Sequence, residues 1–84
     1  MGHEEEMSTY VKRPIEIQAV QWFKNGDHPE VEPRTNLNNE DEFFIDTLEG
    51  KMKVIPGDWI VTGIKGEHYP VKDEIFKETY EEVP

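Results

Sequence analysis

The chain has 84 residues, 35% of them hydrophobic, with a formal net charge of −10 and no cysteine. That length supports one small domain with one core, and without thiols neither a disulfide nor a thiolate metal site can reinforce it. The negative field opposes phosphate backbones and anionic membranes, so no direct nucleic-acid or membrane binding is expected, and no apolar run approaches the ~20 residues of a membrane helix.

The first ten residues, MGHEEEMSTY, are acidic and lack the basic and apolar regions of a signal peptide, which points to a cytoplasmic setting. Residues 1–9 read as a disordered leader before a single domain at 10–84, with Met1–Glu6 as an extension ahead of a second start-like Met7. In YVKRPIEIQAVQWF, Ile15, Ile17 and Ala19 alternate with Glu16 and Gln18 at the period of a half-buried strand. Val20 and Trp22 then fall on the other parity, which predicts a bulge, a bend or burial of both faces. Pro14 belongs at the strand's start or on an edge.

Residues 24–42, KNGDHPEVEPRTNLNNEDE, carry prolines, asparagines and acids with almost no apolar period, and read as a long acidic loop. From Phe43 the pattern is a β-meander. FFIDTL is a strand, Glu49-Gly50 a reversal and KMKVI the return. In PGD, proline and glycine suit the two central positions of a type II turn, and the Asp58 carboxylate can accept a nearby backbone N–H. WIVTGI follows, Lys65-Gly66 turns the chain, and EHYPV comes back. In the tail, Asp73 is placed to cap one helical turn that aims Ile75 and Phe76 at the core, after which KETYEEV alternates as a closing strand with Tyr80 inward. The expected fold is mainly β: a small, strongly bent antiparallel sheet or open barrel of five to six short strands, with one short helical turn near the C-terminus. The N-terminal strand is expected to pair with the C-terminal one.

Chemistry-bearing patterns are sparse. Asp58 reads as a turn cap that positions Trp59 rather than as a general base or metal ligand. His3, His28 and His68 have no partner at metal-ligand spacing, and Glu67 and Tyr69 lie on the opposite strand parity from His68. Ser8 and the threonines have no activating context, the glycines form no phosphate cradle, and NNEDE lacks calcium-loop spacing. No catalytic, cofactor or metal residue is therefore expected. The aromatics are more informative. Trp22-Phe23 and Phe43-Phe44 cannot all enter one side of one sheet, so either a second apolar surface exists or part of the set forms a contact patch. The candidate protein-contact residues are Trp22, Trp59 and Tyr69, with Lys65 at the turn and Glu40, Asp41 and Glu42 at the end of the loop.

RPIEIQAVQWF, FFIDTLEGKMKVIPGDWIVTGIKGEHYPV and IFKETYEEV, in this order and spacing, resemble a family of short uncharacterised bacteriophage and prophage proteins marked by a Pro-Gly-Asp-aromatic signature. The resemblance covers about residues 10–24 and 42–83. It implies a phage or prophage origin and the bacterial cytoplasm, and supplies no activity. Val71 and Asp73 stand where family members often carry a cysteine and a proline, so no thiol-dependent function carries over. The expectation is a non-enzymatic protein-binding or accessory module whose partner is a host or phage protein of basic character. The alternative is an acidic anti-defence inhibitor that mimics nucleic acid, and a third reading is a small ligand-binding or hydrolytic barrel using Asp58, Glu67 and His68. A monomer is favoured, because Pro14, Pro70 and abundant charge protect the strand edges.

Overall fold

Tight reversals cut this chain into short strands, and two crossovers, one of ten residues at 22–31 and one of four at 55–58, distribute them between layers. The computed structural model describes residues 7–11 and 13–84. Its elements are β1 (Gln18–Gln21), β2 (Glu32–Thr35), β3 (Asp41–Thr47), β4 (Gly50–Val54), β5 (Trp59–Thr62), β6 (His68–Val71) and α1 (Asp73–Thr79). They form two three-stranded antiparallel sheets, β1-β5-β6 and β2-β3-β4, which do not close into a barrel. The expectation of a mainly β fold with a short C-terminal helix is met. The expected leader falls partly on residues 1–6, outside the described residues; Met7 to Thr9 are exposed and have no regular structure.

Strand register sorts the side chains. In the first sheet, Ala19, Val61 and Tyr69 are directly opposite one another, as are Gln21, Trp59 and Val71, so these six share a face. Val20, Ile60 and Pro70 lie on the other face with Thr62 and His68. In the second sheet Phe43 pairs Val54 and Ile45 pairs Met52 on one face, while Glu42, Phe44, Asp46, Lys51 and Lys53 occupy the other. That outer face carries the ion pairs Lys51–Asp46 at 2.7 Å and Lys53–Glu42 at 2.6 Å. The core lies between the sheets: Trp22, Val31, Ile45, Val54 and Ile60 are buried together, with Phe43 packed against them. Full burial of each such side chain contributes about 1.5–3 kcal/mol, so this handful carries much of the stability of so short a chain.

The PGD segment is the corner at which the chain leaves the second sheet for the first. The Asp58 N–H bonds the Ile55 carbonyl at 3.1 Å, and Gly57 has φ +98°, as a type II turn requires. The Asp58 carboxylate, 2% exposed, accepts the Ile55 N–H at 3.0 Å and the Lys72 ammonium at 3.1 Å. Two further backbone bonds tie this corner to the start of the other crossover: Trp22 N–H to Asp58 carbonyl at 2.7 Å, and Gly57 N–H to Trp22 carbonyl at 2.8 Å. The parity change is thus explained for Trp22, which follows β1 and turns into the inter-sheet core, while Val20 stays in β1 opposite Ile60. Its indole Nε1 is buried without a hydrogen-bond partner, and the Phe43 ring stands 4.9 Å away at a 53° tilt.

Three expectations are corrected. Residues 24–42 are not one long loop, because Glu32–Thr35 form β2 against β3. All four residues of β2 are exposed, so this edge strand leaves no apolar period to read, and Pro33 is tolerated there. The closing strand does not form: α1 runs to Thr79 and residues 80–84 have no regular structure. Helical pairs outweigh the alternation of KETYEEV, namely Asp73–Lys77 at 3.0 Å, Phe76 against Tyr80 at 5.0 Å, and the Thr79 hydroxyl to the Ile75 carbonyl at 2.7 Å. The N-terminal strand consequently pairs with β5.

Replacing Asp58 by alanine leaves the part-buried Ile55 N–H without its acceptor and is expected to lower unfolding stability by about 1 kcal/mol. Asp58→Asn keeps an acceptor oxygen and is expected to lose less, because Lys72 is half exposed and its pairing contributes little. Urea unfolding of both variants checks the ordering; equal losses would assign the effect to the ion pair instead.

Candidate functional site

The face of the first sheet that carries Trp59, Val61 and Tyr69 is covered by α1. Val61 is fully buried there, whereas Trp59 and Tyr69 are only half-buried. The first residue of the helix is tied to the sheet by its carboxylate. Asp73 Oδ1 accepts the Trp59 indole N–H at 2.9 Å and the Gln21 amide at 3.3 Å, while Oδ2 faces Lys77 at 3.0 Å. Strand β1, strand β5 and the helix start are thereby joined at one side chain. The donated Trp59 N–H, then Lys77, hold the Asp73 carboxyl below its usual range. Lys72 is the N-cap residue and makes no side-chain capping bond, so Asp73 is not the cap that its position in the sequence indicated.

With its N–H anchored, the Trp59 ring stacks on Phe76 at 4.1 Å and 4°, and Phe76 meets Tyr80 at 5.0 Å. The Tyr80 hydroxyl lies 3.4 Å from the Tyr69 hydroxyl. That bond, then burial, pushes the Tyr69 phenol up to about 12. Beside this aromatic ladder runs an open groove of about 870 Å³. Residues 14–17 and Ala19 form one wall, Trp59 and Phe76 the floor, and residues 77–83 the other wall. Its charged lining residues are Glu16, Glu78, Glu81 and Glu82 against Lys77 alone. Apolar floor and acidic rim suit a ligand that is itself apolar and basic.

The sequence-predicted contact residues do not make one surface. Trp59 and Tyr69 reach the aromatic ladder. Trp22, 1% exposed, is core, because its crossover carries it between the sheets; its neighbour Phe23 takes the exposed position at 55%. Lys65 sits at the exposed β5–β6 turn, with its N–H bonded to Glu67 at 3.0 Å. Glu40 and Asp41 are exposed at the β2–β3 hairpin, and Glu42 is held below its usual range by Lys53 and then Asn36. Sequence reasoning gave Phe76 and Tyr80 to the core and missed Asp73 as an anchor. Their i, i+4 spacings to Tyr80 and Lys77 were the available signal.

Asp58, Glu67 and His68 do not converge, each being held by a different partner: Ile55 and Lys72, Lys65, and Thr62. His68 instead meets His28, ring centroids 5.1 Å apart and edge-on. His28 is 8% exposed, and its Nδ1 accepts the Glu30 N–H at 3.0 Å, so the neutral ring is required. Among the described residues no group of three or more His, Cys, Asp or Glu could hold a metal ion, and no helix is long and apolar enough to cross a membrane. No family model matches the chain, and no match to it was found among curated proteins or solved structures.

Burial, then the charge of His68, lowers the pKa of His28, and Glu30 opposes the shift. The unfolded chain therefore binds a proton first as pH falls. Stability from this site is complete above the unfolded value of about 6.5 and is lost as pH falls through the lower folded value. Urea midpoints measured from pH 7.5 downward are expected to decline from about pH 6.5, and His28→Phe is expected to flatten that decline; an unchanged slope would remove His28 as its source.

Proposed function

We propose that the protein is a non-enzymatic protein-binding module of phage or prophage type, and that its contact surface is the groove along Trp59, Phe76 and Tyr80. The observation that carries this reading is the open aromatic ladder with an acidic rim, held in place by Asp73. Flat rings supply large contact area at low entropic cost, and surrounding carboxylates select a basic partner and steer its approach. The occupant is an extended segment of a host or phage protein that carries apolar and basic side chains. The origin in a phage or prophage rests on the resemblance of the three sequence blocks alone. Groups needed for hydrolysis do not meet in the groove, and the reading assigns it no reaction.

Capture of partners by the immobilised chain from lysate of a phage-bearing bacterium tests this, with Phe76→Ala, verified as folded by circular dichroism, as the control. Loss of a central aromatic anchor is expected to weaken retention by about 2 kcal/mol, roughly thirtyfold. Retention that survives Phe76→Ala would sink the groove. A partner confined to nucleic-acid-handling enzymes, released by moderate salt and indifferent to Phe76, would instead establish the mimic.

A further inference from the structure

The chain carries a segment whose chemistry matches its own groove. Tyr10 and Val11 are 88% and 84% exposed, and Lys12 and Arg13 follow them in sequence, so the segment is apolar and basic where the groove is apolar and acidic. Tyr10 and Val11 do not line the groove of their own chain, since both side chains are in solvent. The Ile15 N–H bonds the Arg13 carbonyl at 2.8 Å, a three-residue turn at Pro14, where the groove wall begins.

We propose that Tyr10–Arg13 of one copy occupies the groove of a second copy, and reciprocally, so that the protein forms a two-fold, arm-exchanged dimer. Tyr10 and Val11 supply apolar area to the Trp59–Phe76 floor; Lys12 and Arg13 meet Glu78, Glu81 and Glu82. A closed two-fold exchange uses each arm and each groove once, and so stops at two copies. The inference rests on the groove being a peptide site, and it makes the arm a competitor of any partner segment.

A charge exchange tests it, read by light scattering over a wide concentration range. The unmodified chain is expected to be dimeric at high concentration. Lys12→Glu with Arg13→Glu, and separately Glu78→Lys with Glu81→Lys and Glu82→Lys, are each expected to weaken the dimer at least about tenfold. Mixing the two variants is expected to restore a dimer containing one of each, because the reversed arm then faces the reversed rim. A chain monomeric at every concentration, a dimer indifferent to both variants, or a mixture that fails to associate each overturns the proposal. Partner capture separates the two readings: a monomer whose partner still depends on Phe76 refutes only the exchange, and a charge-dependent dimer without any partner refutes only the function proposed above.

Discussion

The fold depends on the backbone clasp between Trp22 and the Gly57–Asp58 corner. Each inter-sheet crossover is anchored there by the other: the one at 22–31 leaves β1 at Trp22, and the one at 55–58 enters β5 just after Asp58. Gly57 supplies the positive φ that turns the chain, and the Asp58 carboxylate satisfies the Ile55 N–H inside the corner. The same clasp carries the Trp22 ring into the space between the sheets, where it meets Phe43. An indole N–H left without an acceptor in that space costs about 1–3 kcal/mol, which the apolar burial of the ring offsets. Specific packing and polar satisfaction conflict at this one residue, and packing wins.

From that corner the path to the groove is short. Asp58 grips Lys72, the residue before α1, and Asp73 grips Trp59, the residue after Asp58. Two adjacent carboxylate contacts, both made by the corner and the helix start, therefore determine where α1 leaves the sheet. The helix itself is two turns long, too short to be stable alone, and has no buried residue. Its orientation comes from side-chain bonds to β1 and β5 and from the Trp59–Phe76 stack. The floor of the site is thus tied to the sheet by named side-chain bonds, whereas residues 14–17 and 80–83 of its walls lie outside any regular element.

Turn chemistry made much of the fold legible. Glu49-Gly50, the PGD triplet and Lys65-Gly66 all reverse the chain where the sequence placed them, because glycine at positive φ leaves few alternatives: Gly50, Gly57 and Gly66 all have it. Of the alternatives offered by the parity change at Val20 and Trp22, the bend holds at Trp22, whereas Val20 stays within β1 opposite Ile60. Strand β2 was illegible because an exposed edge strand is held by main-chain bonds to β3, and its side chains record nothing of the pairing. The tail was misread because KETYEEV fits both an alternating strand and a helical turn. Tertiary partners decided between them: Trp59 offers a ring to Phe76 and an N–H to Asp73, and neither is visible from within the segment. For the site, Trp59 and Tyr69 were recognisable as aromatic candidates, whereas the meeting of His28 in the crossover with His68 in β6 has no local signature at all.

The two tryptophans are set in opposite circumstances, and that has a spectroscopic consequence. Trp22 is sealed among aliphatic and aromatic side chains, while Trp59 is half in solvent with its N–H on a carboxylate. Excited indole is sensitive to solvent relaxation and to nearby charge, so the two emit from separable environments. The intrinsic fluorescence of the unlabelled chain can thus distinguish loosening of the inter-sheet core, which reddens Trp22, from events in the groove, which alter Trp59 while Trp22 stays silent.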